Sequence, residues 1–281
     1  ACAGPTGLAM SEVYCEAPFN YVTNVDAPEG DRVSGIQRTV LNGRLAQLPD
    51  WQECGFELMQ HPSVVSDWRD DSAIVEQHYD EIRALATKLT GCDFALVGGH
   101  IKRGPEQQKL HSDFGPIAFV HSDFAESYGD LMRQYYSADT PEAALGLSKS
   151  GATVDDVKQC GRLMIIQFWR NLGEPKMDTP LAFCDARTVS KSDLRPFPVQ
   201  DYGGAGFDFE TLGIAPSDAH TWYAFPEMNR DEVAVFRTYD SDRIESDKPY
   251  WTPHSAFSDP DVEPGHPSRL SIELRATCLF K

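Results

Sequence analysis

Short β-forming segments separated by turn residues dominate the second half of the chain, and this succession constrains the fold more than any other feature. Residues 163–170 form a continuous apolar run, LMIIQFWR, which is typical of a strand that is buried on both faces. Gly, Pro, Asp and Asn separate the further predicted strands, which are residues 180–186, 220–226, 232–240 and 270–280. Because few helical segments intervene, the pattern predicts an antiparallel sandwich or barrel that carries helices on one side.

The first half of the chain mixes extended and helical segments. Residues 1–50 are rich in Gly, Pro and Asn, and we expect an extended arm with short strands at 21–25 and 32–41. Apolar residues recur at helical spacing over 70–89, and Gly91 follows as a stop. The remaining predictions are strands at 94–101 and 116–123, a helix at 126–136, and a helix start at Thr140-Pro141-Glu142.

The composition indicates a folded, acidic protein. Apolar residues make up 41% of the 281 residues, charged residues make up 24%, and the net charge is -18. Such a charge repels phosphate backbones and anionic lipids, which argues against nucleic-acid or membrane partners. No apolar stretch approaches membrane-spanning length. The seven cysteines are scattered without a CxxC pair, and no signal-peptide pattern precedes them, which predicts a cytoplasmic protein without disulfides.

Two His-x-Asp motifs are candidates for a metal site. His121-Ser122-Asp123 closes a predicted strand, where residues two apart point to the same face and can share one metal. The alternative, His111-Ser112-Asp113, precedes a Phe-Gly-Pro turn. We favour the first motif because a rigid strand end positions ligands better than a loop does. A second histidine would complete the 2-His-1-carboxylate face that leaves open positions on iron(II).

The segment after the predicted strand 232–240 contains a candidate second histidine and a candidate carboxylate-binding pair. His254 lies in WTPHSAFSDP, and Arg269-Leu270-Ser271 then opens the last predicted strand. Arg269 and Ser271 share one face, and a guanidinium beside a hydroxyl suits a carboxylate, such as an anionic co-substrate that an acidic protein must anchor. Arg275 is the alternative anchor, but it lies roughly 20 Å further along the strand. The ordered combination of His-x-Asp, a distal His and Arg-x-Ser is a more specific indication of such a site than any one of these motifs alone.

Five segments resemble a mainly fungal family of hydroxylase/desaturase proteins, which includes gibberellin desaturase-like enzymes and relatives of a cephalosporin 7α-methoxylase component. These segments are residues 115–128, 165–189, 220–242, 251–260 and 267–276. The resemblance implies a mainly β fold with flanking helices (α+β) around a double-stranded β-helix (jelly-roll) core. It also implies Fe(II), 2-oxoglutarate and O2 as cofactors, and C–H abstraction that hydroxylates, desaturates or cyclises a small secondary metabolite. The implied metal ligands are His121, Asp123 and His254, and the implied 2-oxoglutarate anchor is Arg269 with Ser271.

The chain departs from the family pattern in two places. Gln167 stands where the family usually has Asn, with Phe168 between it and the Trp169-Arg170 pair. We take Gln167, Trp169 and Arg170 as candidate substrate-binding residues; the alternatives are a core role for Trp169 and, for Arg170, an ion pair with a carboxylate such as Asp185. The second departure is the interval of 130 residues between the two halves of the ligand set, which predicts a large insertion within 140–162 and 187–219.

The expected organisation is one oxygenase domain over residues 1–281, with an N-terminal arm and helices over 1–90 and a jelly-roll core with insertions over 91–281. Two other functions compete with an oxygenase: a non-catalytic jelly-roll ligand-binding protein, and a cupin-like metal hydrolase or isomerase. The complete ligand set favours the oxygenase over a binding protein.

Overall fold

Thirteen strands form two β-sheets in the computed structural model, which describes residues 12–28 and 31–281. Across the eight-stranded sheet the order is β1 (Val13–Val22), β2 (Val33–Asn42), β10 (Trp222–Ala224), β7 (Leu181–Cys184), β12 (His254–Ala256), β5 (His121–Ser122), β9 (Phe209–Ile214) and β8 (Leu194–Val199). Across the five-stranded sheet it is β3 (Phe56–Gln60), β11 (Glu232–Asp240), β6 (Arg162–Asn171), β13 (Ser271–Phe280) and β4 (Phe94–Arg103). Neighbouring strands are antiparallel except for β10 and β2, which run parallel.

Side-chain caps or a glycine stop mark the ends of several helices. They are α1 (Trp51–Cys54), α2 (Asp71–Ala73), α3 (Tyr79–Thr90), α4 (Pro105–Leu110), α5 (Tyr128–Ser137), α6 (Pro141–Ser150), α7 (Val154–Gln159) and α8 (Ser241–Glu245), and a π-helical turn, Ile74–His78, joins α2 to α3. The Asp70 side chain accepts hydrogen bonds from the first backbone amides of α2, and Thr140 does the same for α6. Gly91 ends α3 in the left-handed conformation. No helix of the described residues has both the length and the apolar character needed to cross a membrane.

Strand alternation divides β6 and β13 between two environments. On one face, Ile166 and Phe168 of β6 and Leu274 of β13 pack into an apolar cluster with α3. On the other face, which is turned toward the eight-stranded sheet, β6 carries Trp169 and β13 carries polar and charged residues. Polar side chains inside a sandwich are costly unless they are paired, so this face is where a functional site is expected.

The structure confirms the predicted mainly β fold with flanking helices, and it corrects two local predictions. The strand expected at 116–123 is a ladder of two residues only, β5, preceded by an extended segment. Residues 187–219 are not merely an insertion, because β9 pairs directly with β5 and β8 pairs with β9. Within 140–162 the expected insertion consists of α6 and α7.

The predicted arm over residues 1–50 contains two ten-residue strands, β1 and β2, at one edge of the larger sheet. The part of that prediction that covers residues 1–11 lies outside the described residues. The first ninety residues also supply β3, which pairs with β11 at the edge of the smaller sheet.

Candidate metal centre

The three predicted metal ligands meet between the two sheets. His121 and His254 are direct partners in the register of β5 and β12, and Asp123 directly follows β5. Oδ1 of Asp123 lies 3.7 Å from Nε2 of His121, and Oδ2 of Asp123 lies 3.5 Å from Nε2 of His254. One ligand atom from each residue lies within 4.8 Å of the others, and all three residues are buried. Atoms that share one first-row metal ion are about 3 to 4 Å apart, so the arrangement fits a divalent cation.

Hydrogen bonds orient each ligand toward the shared point. The Nδ1 atoms of His121 and His254 donate to the backbone carbonyls of Phe119, at 2.8 Å, and Thr252, at 2.9 Å. A carbonyl oxygen can only accept, so each Nδ1 carries the proton and each Nε2 keeps a free lone pair. The Gln167 amide donates to Oδ2 of Asp123. The imidazoles and the carboxylate are therefore fixed in the form that binds metal.

The electrostatics of the cluster also favour a metal-binding state at neutral pH. Burial, assisted by the neighbouring His254, lowers the pKa of His121 to about 4, which keeps its imidazole neutral. Burial opposes ionisation of Asp123, but His254, His121, Arg275 and Gln167 outweigh it and lower the pKa of Asp123 to about 2. A neutral imidazole and a carboxylate suit Fe(II).

The rival motif does not form such a cluster. His111 precedes a short 3₁₀ turn that contains Asp113, and about a third of each side chain is exposed. Asp113 accepts a hydrogen bond from the backbone N–H of Gly203 at 2.8 Å. Among the described residues, the group of three potential ligands is His121, Asp123 and His254, and it excludes this pair.

Arg269 lines the cavity beside these three residues. The wall of this cavity also includes Trp169, Leu181, Phe236 and Ala256, and a larger cleft of about 360 Å³ opens next to Arg269 and Ala256. Nη1 of Arg269 donates to the Thr179 carbonyl at 2.7 Å, and the guanidinium carbon lies 5.4 Å from the centre of the Trp169 ring.

Two buried polar atoms of the predicted anchor lack a partner among the described residues: Nε of Arg269 and Oγ of Ser271. Burial lowers the pKa of Arg269 to about 10, so its guanidinium is still charged at neutral pH. An unpaired buried donor on a cation costs stability unless a ligand supplies the acceptor. The pair therefore fits a bound carboxylate.

Arg275 faces the same interior as Arg269, but it lies at the other end of the ligand cluster. It is the register partner of Gln167, whose amide holds Asp123, and a bulge in the pairing with β4 falls between Glu273 and Arg275.

Sequence reasoning missed Glu273 and Arg103, which also line the cavity. Strand alternation could have indicated Glu273, because it shares a face with Ser271 and Arg275. No local signal indicated Arg103, which reaches this carboxylate from β4.

The three candidate substrate-binding residues occupy different environments. Gln167 supports the ligand Asp123, and Trp169 lines the cavity. Arg170 lies on the opposite face of β6, where it donates to the carbonyl of Arg230 and stacks on Trp68. The structure therefore does not bring Arg170 to the site, because adjacent residues of a strand point to opposite faces. Its alternative partner, Asp185, is paired instead with Arg187 at 2.7 Å.

Comparisons with known proteins place the chain in a family. A sequence profile described as "Oxidoreductase/YMDC permease-like domain" matches residues 16–279. The hydroxylase/desaturase efuI of Hormonema carpetanum is 30% identical over 240 residues, which cover 81% of this chain and 77% of efuI. The chain belongs to this family of hydroxylase/desaturase oxidoreductases. The Fe(II)/2-oxoglutarate-dependent dioxygenase nvfI of Aspergillus novofumigatus is 29% identical over 208 residues, covering 73% of this chain and 68% of nvfI.

A solved structure of a protein similar to this chain shows the same fold. The iron and alpha-ketoglutarate-dependent endoperoxidase NvfI superposes with a TM-score of 0.73 at 22% identity, covering 96% of this chain and 99% of that chain. The match confirms the double-stranded β-helix that the sequence resemblance implied. The family assignment confirms the expected class as well, an Fe(II)- and 2-oxoglutarate-dependent oxygenase.

Proposed function

We propose that this chain uses Fe(II), 2-oxoglutarate and O2 to hydroxylate, desaturate or cyclise a small secondary metabolite, with His121, Asp123 and His254 as the metal ligands. The observation that carries the proposal is that this buried cluster and Arg269, whose Nε is unpaired, line one cavity. Ser271, whose buried Oγ is also unpaired, lies two residues further along the chain. A metal site alone would also suit a hydrolase or isomerase. The buried guanidinium of Arg269 next to the metal site suits a co-substrate that chelates metal at one end and carries a carboxylate at the other.

Iron(II) with 2-oxoglutarate and dioxygen supplies an oxidant strong enough to take hydrogen from an unactivated C–H bond. The protein supplies geometry and exclusion of water. His121, Asp123 and His254 would hold the metal and leave coordination positions open for the other reactants. Arg269 and Ser271 would hold the far carboxylate of 2-oxoglutarate. Trp169 and Phe236 give the cavity a dry apolar wall, which limits side reactions of a reactive intermediate with water.

The proposed ligand set is tested by comparing Asp123→Ala with Asp113→Ala. Asp123→Ala removes a charged ligand, so iron binding and iron-dependent release of succinate from 2-oxoglutarate should both be lost. Asp113→Ala, the matched change in the rival motif, should retain both. Normal iron-dependent succinate release by Asp123→Ala would contradict the assignment. Failure of the unmodified protein to convert 2-oxoglutarate to succinate would favour a hydrolase, an isomerase or a binding protein.

Two broader proposals accompany the assignment. We propose that the chain acts as one oxygenase domain, which is supported by the strands β1, β2 and β3 that its first ninety residues add to both sheets. We also propose a cytoplasmic location, which is supported by the six described cysteines, all of them free and buried. The acidic charge supports a small-molecule substrate over nucleic acid.

A further inference from the structure

A cleft of about 360 Å³ adjoins the cavity beside His121, Asp123 and His254, which we call the metal cavity. The cleft is lined by residues from the segments 104–118, 178–179, 256–258 and 268–269. Ala256 and Arg269 line both the cleft and the metal cavity. The cleft has the size of a small-molecule site, and these two residues mark the junction where it meets the metal cavity.

The metal cavity itself is too small to enclose a co-substrate. Its free volume is about 20 Å³, which is room for roughly one water molecule. His121, Asp123 and His254 are between 4% and 8% exposed, so solvent scarcely reaches them directly. A molecule that chelates a metal held by these residues must therefore extend beyond the metal cavity, and the adjoining cleft provides additional space.

Arg269 lies at the junction and contacts residues of both spaces. Its Nη1 donates to the carbonyl of Thr179, a residue of the cleft, at 2.7 Å. Its guanidinium carbon lies 5.4 Å from the centre of the Trp169 ring, which lines the metal cavity. Its Nε has no partner among the described residues. A linear 2-oxo diacid that passes Arg269 with its 2-oxo acid end first would leave its far carboxylate beside this cation.

The charges of the cleft favour the entry of an anion. Among the described residues that line it, the charged side chains are Arg269 and Asp178. Oδ1 of Asp178 already accepts hydrogen bonds from the backbone N–H of Arg269, at 2.9 Å, and from the hydroxyl of Thr179, at 3.0 Å. The chain has a net charge of -18, so a largely uncharged cleft that leads to a buried cation admits an anion more readily than the acidic surface around it.

We propose that 2-oxoglutarate enters through this cleft with its 2-oxo acid end first, and that it leaves by the same route. The proposal rests on the proposed function, because it takes Arg269 as the anchor and the three buried residues as the metal site. It adds the route that the co-substrate follows and the residues that border this route, which the ligand set alone does not define.

An obstruction in the cleft should slow entry and exit together. Ser258 lines the cleft, is exposed, and makes no side-chain hydrogen bond among the described residues. We expect Ser258→Trp to lower the association rate and the dissociation rate of 2-oxoglutarate by at least about fivefold each, while the dissociation constant changes by less than about threefold. Both rates fall because both directions cross the same barrier, whereas the loss of a contact in the bound state raises the dissociation rate.

The rates are measured on the iron(II)-loaded protein without oxygen. Stopped-flow mixing with 2-oxoglutarate gives the association rate from the visible absorption of the iron(II) chelate. Calorimetry gives the dissociation constant, and the product of the two gives the dissociation rate. Ala118→Trp narrows the cleft from a different segment, so it should act in the same way and decides the question if Ser258→Trp does not fold.

Ser148 supplies the matched control, because it is exposed on α6 and does not line the cleft. Ser148→Trp should leave both rates within about twofold of those of the unmodified protein. Charge gives an independent comparison. Ser258→Glu should slow association of the dianion more than Ser148→Glu, which changes the net charge equally, and added salt should reduce the difference.

The proposal is overturned if neither Ser258→Trp nor Ala118→Trp slows association, or if Ser148→Trp slows it equally. It is also overturned if the cleft variants weaken binding in proportion to the loss of association rate, since these residues would then belong to the binding site rather than to the route. A failure of the proposed function is distinguishable, because the unmodified protein would then show no absorption of an iron(II) chelate.

Discussion

Replacing Arg269 with alanine should weaken 2-oxoglutarate binding strongly while leaving iron in place. Arg269 is 4% exposed, its Nε has no partner among the described residues, and its Nη1 already has the Thr179 carbonyl. Truncation would remove the cation that we propose meets the far carboxylate of 2-oxoglutarate. It would leave the three proposed metal ligands untouched, because none of them contacts the Arg269 side chain through a hydrogen bond.

The size of the effect follows from the kind of interaction that each substitution removes. A charge-assisted pair of guanidinium and carboxylate is worth on the order of 2–4 kcal/mol, which corresponds to roughly 30- to 1000-fold in affinity. Ser271→Ala removes one neutral hydrogen bond, worth about 1 kcal/mol, so it should cost roughly fivefold. Arg275→Ala should have the smallest effect of the three, because Arg275 lies at the other end of the cluster.

Anaerobic calorimetry of 2-oxoglutarate binding at fixed, saturating iron gives the ranking of the three variants. Iron content is measured on the same samples, so that a loss of metal is not mistaken for a loss of the anchor. A nearly silent Arg269→Ala together with a damaging Arg275→Ala would refute the reasoning. The anchor would then be Arg275.

Three further predictions concern other parts of the molecule. Gln167→Leu removes the amide that holds Asp123, so iron affinity measured by competition with a chelator should fall about 10- to 100-fold; an unchanged affinity would show that the amide does not orient the ligand. Burial lowers the pKa of His78 in the folded protein to about 4. Between about pH 6.5 and pH 4 this histidine is therefore protonated in the unfolded chain but neutral in the folded protein. The free energy of unfolding consequently decreases as the pH falls through this range. We therefore expect the free energy of unfolding, measured with urea, to fall by about 2 kcal/mol less for His78→Gln than for the unmodified protein when the pH is lowered from about 7 to about 5. Equal decreases for the two proteins would contradict the burial argument. Thiol titration of the denatured, unreduced protein should find close to all seven cysteines free, and recovery of only a few would overturn the proposed cytoplasmic location.

Strand alternation and local order made much of the site predictable from sequence. His121 and Asp123 could be paired because residues two apart share a face, and His254 because it follows a clear strand, β11. Alternation failed for Arg170, since β6 is buried on both faces and its continuous apolar run gives no sign of which face meets the cavity.

Other features depend on contacts between distant segments. The strand β8 contains prolines at positions 196 and 198, which are not typical of a strand, so the sequence did not indicate it. The structure tolerates these prolines because β8 lies at the edge of its sheet. The buried charge of Glu273 could not be interpreted from its neighbours in sequence, because its partner Arg103 is 170 residues away. The burial of such groups is a property of the assembled sandwich.

The central claim is that one metal ion is bound by His121, Asp123 and His254. A crystal structure obtained anaerobically with iron(II) and 2-oxoglutarate, with anomalous data at the iron edge, tests it most directly. We predict a single strong anomalous peak within bonding distance of both histidine Nε2 atoms and of the Asp123 carboxylate. A peak at His111 and Asp113, or no peak at the buried cluster, would contradict the account.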